Sequence, residues 1–348
     1  MKYRVISVVL ALGLVLSAST AWAQLKVVAT LPDYKDLAER IGGDRVTVQS
    51  LVLGDQDAHF IRPKPSFIVT LSEADVLIST GMDLELWLPT IVDKSGNEKI
   101  RSEQVGYVSA SDGMSLLEVP ESVSRSEGGV HLYGNPHVTT NPLNMKVAAR
   151  NITAGLIKND PDGEDEYMKR LEAFEDEVDE RLFGKDLVRI LGGKTLTKLA
   201  LKGTLIEFLE KKEYKGAMLI GSLGGWMGAM MPLRGKKIVC YHKNWVYFSQ
   251  LFGLVEAEYI EPKPGIPPSA KHVAEVIELM KAEGVKVILA ASYFDQEQVK
   301  DVASKTGAEA IIAPYYVGSY DDVPDYFALV DWWTSELLAA AKKQGLIQ

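Results

Sequence analysis

The chain has 348 residues, 47% of them hydrophobic and 24% charged, and a formal charge of −9. This is the composition of a globular protein large enough for two domains, and it excludes collagen-like, low-complexity and disordered chains. The acidic balance offers no overall basic field to nucleic acid, so we expect no nucleic-acid partner. The single cysteine, Cys240, excludes a disulfide framework and lies in an apolar run, where we expect a buried structural thiol.

Residues 1–23 have the pattern of a cleaved secretory signal peptide. Lys2 and Arg4 precede an apolar run, and Ala21-Trp22-Ala23 forms a small-x-small cleavage site. The run is shorter than the ~20 residues of a membrane-spanning helix, which disfavours a retained anchor. No cysteine follows the cleavage site, so we expect a periplasmic protein without a lipid anchor. Its mature chain would carry 36 basic and 47 acidic residues, a charge of −11.

Strands and helices alternate along the first part of the mature chain. Short β-branched runs predict strands, and apolar residues at helical spacing predict helices. This alternation is typical of a parallel sheet covered by helices on both faces. The predicted strands are 25–31, 46–53 and 76–80, and the predicted helices are 33–41, 65–74 and 84–92.

The middle of the chain departs from this alternation. A surface loop is predicted at 109–134, a helix at 141–158 and a long, charged amphipathic helix at 165–183. Residues 185–235 are rich in Leu, Lys and Gly and predict a helical insertion. We interpret its lysines as an exposed helix face rather than an anion site.

A second alternating series follows the insertion. Its predicted strands are 237–241, 256–260, 285–290 and 308–313, and its predicted helices are 245–252, 269–283, 297–305 and 324–343. We therefore expect an α/β protein of two lobes, each a parallel sheet flanked by helices, joined by one long connector helix. A cleft between such lobes is a natural ligand site. The expected domains are a signal peptide (1–23), an N-terminal lobe (24–160), the connector helix (161–184), the helical insertion (185–235) and a C-terminal lobe (236–348).

Histidine is the residue type that indicates a site. Only five are present, and His59, His137 and His242 lie in loops close behind predicted strands or ahead of a helix. Neutral imidazole is the commonest protein ligand for zinc and similar ions, and these three loops can converge on the cleft. His272 lies within a predicted helix, where we expect a packing or surface role.

Enzyme motifs are mostly absent. The sequence has no His-Glu-x-x-His helix, no nucleophile elbow, no Walker A loop and no dinucleotide-binding glycine pattern. Carboxylate pairs such as Asp55 with Asp57, or Asp321 with Asp322, are interpreted as turn or surface residues. We therefore expect a binding protein rather than an enzyme.

Three ordered motifs carry a resemblance to a known family. They are Asp57-Ala58-His59-Phe60-Ile61-Arg62-Pro63-Lys64-Pro65-Ser66, Gly134-Asn135-Pro136-His137 with Asn141-Pro142, and Tyr241-His242-Lys243-Asn244-Trp245-Val246-Tyr247-Phe248. Shorter matches lie at 28–32, 74–88, 253–254 and 261–269. Together they resemble the periplasmic metal-binding proteins of zinc/manganese ABC importers, over nearly all of the mature chain except the insertion.

The resemblance implies a two-lobed solute-binding protein that captures one divalent transition metal ion. It places His59 and His137 in the N-terminal lobe and His242 in the C-terminal lobe as the metal ligands. It also implies delivery of the ion to the membrane permease of an ABC importer, and we expect a monomer. The rigid connector helix implies a small lobe movement.

One departure from the family concerns the fourth ligand. Members often supply an Asp after the last strand, but this place is Ala313, which cannot bind a metal. The fourth position is left to water or to another side chain, with Asp295 and His131 as candidates. Three histidines favour Zn²⁺ over manganese or iron, because manganese prefers oxygen donors. The long His-rich loop of many zinc members is also missing.

Two alternative functions share the same three histidines. A zinc-dependent hydrolase also binds its metal through three histidines and a water molecule, but it needs a general base that the motifs do not supply. A metal-binding adhesin, or a chaperone that transfers its ion to another exported protein, would have the same site.

Overall fold

The computed structural model describes residues 24–120, 131–263 and 265–348. The expected signal peptide at 1–23 and the central part of the predicted loop 109–134 lie outside the described residues. Within the described part of the chain, no helix is both long and apolar enough to cross a membrane.

The N-terminal part forms a four-stranded parallel sheet with helices packed on it. The strands are β1 (Leu25–Ala29), β2 (Val46–Ser50), β3 (Val76–Ser79) and β4 (Tyr107–Ser109), in the spatial order β2-β1-β3-β4. The helices are α1 (Pro32–Gly42), α2 (Pro65–Ser72), α3 (Leu88–Ser95) and α4 (Pro142–Asn159). Val27, Val28 and Ala29 of β1 are all buried, as expected for a central strand covered on both faces.

One long helix, α5 (Glu164–Phe183), follows this lobe. Three acidic residues in its first turn suit the positive end of the helix dipole, and Gly184, with φ of 85°, ends it. Its buried face includes Leu171, Phe174 and Val178, each of which stabilises the fold by about 1.5–3 kcal/mol when fully buried. Phe174 also contacts the ring of Phe327 in the C-terminal part, at a centroid distance of 5.5 Å.

The region that we predicted as a helical insertion contains four helices and a small hairpin. These are α6 (Lys185–Leu191), α7 (Gly193–Leu201), α8 (Leu205–Lys211), the strands β5 (Glu213–Tyr214) and β6 (Ala217–Met218), and α9 (Gly225–Met230). A buried ion pair between Lys146 Nζ and Asp179 Oδ1, at 2.7 Å, fastens α4 to α5, and Thr197 of α7 donates to the same carboxylate. The close approach of α7 requires Gly193, because a Cβ there would lie 1.7 Å from Asp179 Oδ2.

The C-terminal part repeats the architecture of the first. Its parallel strands are β7 (Lys237–Cys240), β8 (Val255–Tyr259), β9 (Val287–Ala291) and β10 (Glu309–Ala313), in the order β10-β9-β7-β8. Its helices are α10 (Val246–Phe252), α11 (Ala270–Glu283), α12 (Gln296–Thr306) and α13 (Tyr326–Lys343). Two parallel sheets flanked by helices, with the long helix α5 between them in sequence, confirm the predicted α/β fold class. Cys240 is buried, as expected, and burial raises the pKa of its thiol.

One local prediction was wrong, and two strand elements were not predicted. The helix expected at 84–92 begins only at Leu88, because Gly81, Met82 and Asp83 all have positive φ and form turns that end before Pro89. Strand β4 was not predicted, since its three residues lie within irregular chain. The two-residue strands of the β5–β6 hairpin were likewise too short to be recognised.

Polar contacts join the two halves beside the strand ends. The buried Asp33 of α1 accepts a hydrogen bond from the amide of Val317, at 2.8 Å. Tyr326 donates its hydroxyl to the carbonyl of Thr139, at 2.8 Å. Arg40 forms an ion pair with Asp325, at 2.9 Å. These contacts hold the carboxyl ends of both sheets close to one another.

Candidate metal centre

His59 is positioned by a short turn beyond β2. Asp57 caps a 3-10 turn, Ala58–Phe60, by accepting a hydrogen bond from the amide of His59 at 2.9 Å. The indole of Trp87 donates to the carbonyl of Ala58, at 2.8 Å, and fixes the turn against the N-terminal lobe.

His137 lies just ahead of α4 and is held from both halves of the molecule. Asn135 accepts a hydrogen bond from the amide of His137 at 3.0 Å, and its side-chain amide donates to the carbonyl of Lys243 at 2.7 Å. Tyr247 of α10 donates to the carbonyl of Asn135, also at 2.7 Å. Because these bonds span the cleft, the loop that carries His137 is fixed relative to the loop after β7.

His242 follows the carboxyl end of β7 by two residues, as the sequence predicted. Its side chain is almost fully buried, and its Nδ1 is hydrogen-bonded to the carboxylate of Glu261. Glu261 follows β8, the neighbouring strand, so the two parallel strand ends place the imidazole and the carboxylate side by side.

Four imidazole rings converge between the sheets. The Nε2 atoms of His59 and His131 are 3.0 Å apart, and those of His137 and His242 are 3.3 Å apart. The ring of His59 lies 5.0, 5.1 and 6.3 Å, centroid to centroid, from the rings of His131, His137 and His242. The structure therefore brings the three predicted histidines together and adds His131, which the sequence left as one of several candidates.

The other fourth-ligand candidate and the fifth histidine have different roles. Asp295 is exposed and caps α12 by accepting from the amide of Gln298. His272 bonds through Nε2 to the carbonyl of Tyr259, at 2.9 Å, away from the four rings. Ala313 ends β10 fully buried, and the ring of the nearby Tyr315 lies 6.0 Å from that of His137.

Two carboxylates orient two of the rings. His59 Nδ1 is 2.8 Å from Asp57 Oδ1, and His242 Nδ1 contacts Glu261. A carboxylate that accepts from Nδ1–H selects the tautomer in which Nε2 carries the lone pair, and it raises the basicity of that nitrogen. Asp57 is thus a turn residue, as we interpreted it, but it also orients His59, and Glu261 is a carboxylate beside His242 that the sequence analysis did not identify. A pattern of Asp two residues before His is the signal that the sequence offered.

Burial keeps the rings of His131 and His137 neutral. Desolvation, together with the neighbouring imidazoles, lowers the pKa of His131 to about 4 and that of His137 well below its usual range. At Asp57, burial acts to raise the pKa, but the hydrogen bonds and charge of His59 outweigh it, and the pKa is lowered. Neutral imidazole is the protonation state that a metal ion requires of a histidine ligand, and an ionised Asp57 can accept the hydrogen bond from Nδ1–H of His59.

One of the two nitrogen pairs has the separation expected in a tetrahedral site. Four nitrogens bonded to one ion at about 2.05 Å would lie roughly 3.3 Å apart, which is the separation of the second pair. Among the described residues, however, no group of three or more His, Cys, Asp or Glu side chains is already arranged to hold a metal ion. The Nε2 atoms instead lie within hydrogen-bonding distance of one another in pairs, and Nδ1 of His137 is buried without a partner in the described chain.

Two clefts reach the cluster. One, of about 350 Å³, is lined by Glu118 and Lys243, whose side chains form an ion pair of 2.9 Å between the lobes. The other, of about 520 Å³, is lined by exposed apolar side chains that include Phe60 and Leu86. The first is lined by His131, His137 and His242 and the second by all four histidines, so the rings are accessible without unfolding.

Two α/β lobes with imidazoles between their strand ends define a metal-binding, solute-binding protein. The family model described as "Zinc-uptake complex component A periplasmic" (ZnuA) matches residues 27–181 and 226–340. The chain belongs to this family. The unmatched stretch 182–225 covers most of the predicted insertion.

Relatives agree with this assignment. The chain is 30% identical over 306 residues to the manganese ABC transporter substrate-binding lipoprotein PsaA of Streptococcus mitis, covering 86% of this chain and 81% of the relative. It is 24% identical over 315 residues to the iron-binding protein YfeA of Yersinia pestis, covering 88% and 83%. A crystal structure of ZnuA superimposes with a TM-score of 0.66 at 20% identity, covering 91% of this chain and 99% of that one.

The comparisons confirm several expectations and qualify others. The family consists of substrate-binding components of metal transporters, which confirms that the protein is not an enzyme. The protein binds a divalent metal ion as the transported substrate and delivers this ion to a membrane permease. The family model is described for zinc uptake, whereas the two relatives above are named for iron and manganese. Several relatives are named lipoproteins, in disagreement with our expectation of no lipid anchor.

Proposed function

We propose that the protein captures Zn²⁺ outside the cytoplasm, in the periplasm, and delivers it to an ABC importer. The observation that carries this proposal is the convergence of four imidazoles, two of them oriented by carboxylates through Nδ1. The atoms that face one another in this cluster, and that could bind a metal, are all imidazole nitrogens.

The donor set favours zinc over the other metals. Imidazole nitrogen suits zinc, which is satisfied by four ligands in a tetrahedron, whereas manganese prefers oxygen donors and six ligands. The family resemblance implies a carboxylate at the end of the last strand, and Ala313 occupies that place. Asp57 and Glu261 contact Nδ1 atoms of the rings, so we assign them to orientation of His59 and His242 rather than to the metal itself.

We propose His131 as the fourth ligand beside His59, His137 and His242. Its Nε2 already faces that of His59 at 3.0 Å, a separation that must widen by a few tenths of an ångström when both bind one ion. When the ion binds, the two hydrogen-bonded imidazole pairs are therefore replaced by four nitrogens arranged as a tetrahedron around the ion.

Calorimetric titration with zinc and with manganese tests the proposal. We expect one zinc ion per chain, and manganese binding weaker by at least ~100-fold. Substituting any one of the four histidines by Ala should weaken zinc binding by more than ~100-fold, since even orienting residues contribute 10–100-fold.

His272→Ala is the matched control, because it removes an imidazole that lies away from the cluster. It should bind zinc as the parent protein does. Preference for manganese over zinc would refute the metal assignment. Full affinity in His131→Ala, with losses in the other three variants, would leave capture intact and refute the fourth ligand alone.

A further inference from the structure

A groove between α4, α5 and α7 is separate from the metal centre. Its volume is about 850 Å³, and its floor is apolar, with Met168 and Leu201 both 48% exposed. Its rim carries Lys194, Lys198 and Lys202 from α7 and its C-terminal end, together with Arg150 of α4, which is paired with Glu175 of α5.

The lysines of this groove form one row. They are spaced by four residues, which places them on the same face of the helix, about 6 Å apart along its axis. No acidic residue lies within α7, and these three lysines form no ion pair with any residue in the described part of the chain. Like charges at this spacing destabilise a helix slightly, so the row opposes the local stability of α7.

The surrounding insertion is basic within an acidic protein. Residues 185–218 carry eight basic and four acidic side chains, whereas the whole chain has a charge of −9. The β5–β6 hairpin adds Tyr214 and Met218, which are 45% and 37% exposed, between further lysines. Positive charge and exposed apolar groups thus lie together on one region of the surface.

We propose that this basic groove binds the surface of a membrane that contains anionic phospholipids. Phosphate headgroups would pair with the lysine row, and the adjoining apolar part of the lipid would cover the floor around Met168 and Leu201. The three cations of this row, which form no ion pair in the described part of the chain, are lysines rather than arginines. Lysine is a flexible point charge suited to a fluid anionic surface, whereas an acidic protein partner would favour the planar fork of arginine.

The position of the groove fits this role. The buried pair of Lys146 and Asp179 joins α4 to α5, and Thr197 of α7 donates a hydrogen bond to Asp179, so the lysine row lies on a helix that is attached to both. The family delivers its metal to a membrane permease, so the protein works beside a bilayer. Holding it there would raise its concentration near the permease. This proposal does not depend on which metal the histidines bind.

Sedimentation of the purified protein with lipid vesicles tests the proposal. We expect binding to an equal mixture of phosphatidylglycerol and phosphatidylcholine, no binding to phosphatidylcholine alone, and weaker binding as salt rises. The triple variant Lys194→Gln, Lys198→Gln, Lys202→Gln should lose about 100-fold in partitioning. Leu201→Gln should lose about fivefold.

A matched triple, Lys271→Gln, Lys281→Gln, Lys300→Gln, removes the same charge from helices of the C-terminal lobe and should bind as the parent does. Equal losses in the two triples would overturn the proposal, because net charge alone would then explain binding. So would equal sedimentation on both vesicles, or binding of inorganic phosphate or an acidic peptide without sedimentation on phosphatidylglycerol. The zinc affinity of each variant, measured by titration, should equal that of the parent. This control separates a loss of vesicle binding from damage to the metal site.

Discussion

The carboxyl group of Asp33 is fully buried where α1 meets the loop after β10. Its Oδ1 accepts a hydrogen bond from the amide of Val317, at 2.8 Å, so it joins the two lobes. Desolvation raises the pKa of Asp33 to about 7, while the amide of Val317 and the hydroxyl of Thr139 partly oppose this rise. We predict that Asp33 makes the stability of the metal-free protein depend on pH.

The sign follows from proton binding. Between pH ~4 and ~7 the unfolded chain has lost the proton of Asp33, whereas the folded protein retains it. Stability therefore falls as pH rises through this window, by about 1.4 kcal/mol per unit and about 4 kcal/mol in total. Asp33→Asn keeps the acceptor for the Val317 amide but cannot ionise, so this contribution should disappear.

Urea denaturation in the presence of a chelator, at several pH values between 4.5 and 8, measures the effect. The difference in unfolding free energy between Asp33→Asn and the parent protein should grow in favour of the variant as pH rises. Asp176→Asn, at an exposed carboxylate of α5, is the control and should follow the parent at every pH. Parallel curves for the parent and Asp33→Asn would show that burial does not raise the pKa of Asp33.

Three further predictions concern the metal centre and the connector region. Glu261→Gln removes the charged partner of His242 and should weaken zinc binding 10–100-fold in calorimetry; unchanged affinity would contradict the orienting role. Lys146→Met leaves Asp179 buried without its cation and should lower the free energy of unfolding, measured with urea, by about 3–5 kcal/mol. Adding Asp179→Leu to the same chain should restore most of this loss. Zinc at ~1,000 times its dissociation constant should stabilise the parent by about 4 kcal/mol, and no gain is expected without the four histidines.

The sequence predicted the architecture because its elements have clear periodicity. The helix over 165–183 and the buried strand at the start of the mature chain each have enough residues for their apolar spacing to be read. β4 and the β5–β6 hairpin have two or three residues per strand, too few for a period to be recognised. The turns before Leu88 depend on positive φ at Met82 and Asp83, which residue type does not indicate.

The candidate site was predictable in part for a similar reason. His59, His137 and His242 lie in motifs with a resemblance to a family, and their loops follow or precede regular elements. His131 lies in irregular chain, so its approach to His59 depends on tertiary packing. Asp57 and Glu261 were missed because a carboxylate that orients a ring differs from a surface carboxylate only in what it contacts.

The proposed ligands are divided unequally between the lobes. His59, His131 and His137 belong to the N-terminal part, and only His242 comes from the C-terminal part. If these four residues hold the ion, separation of the lobes would remove one nitrogen and leave three, with one coordination position open. Transfer would then be a stepwise exchange of ligands, in which the open position accepts a new donor before the N-terminal lobe releases the ion.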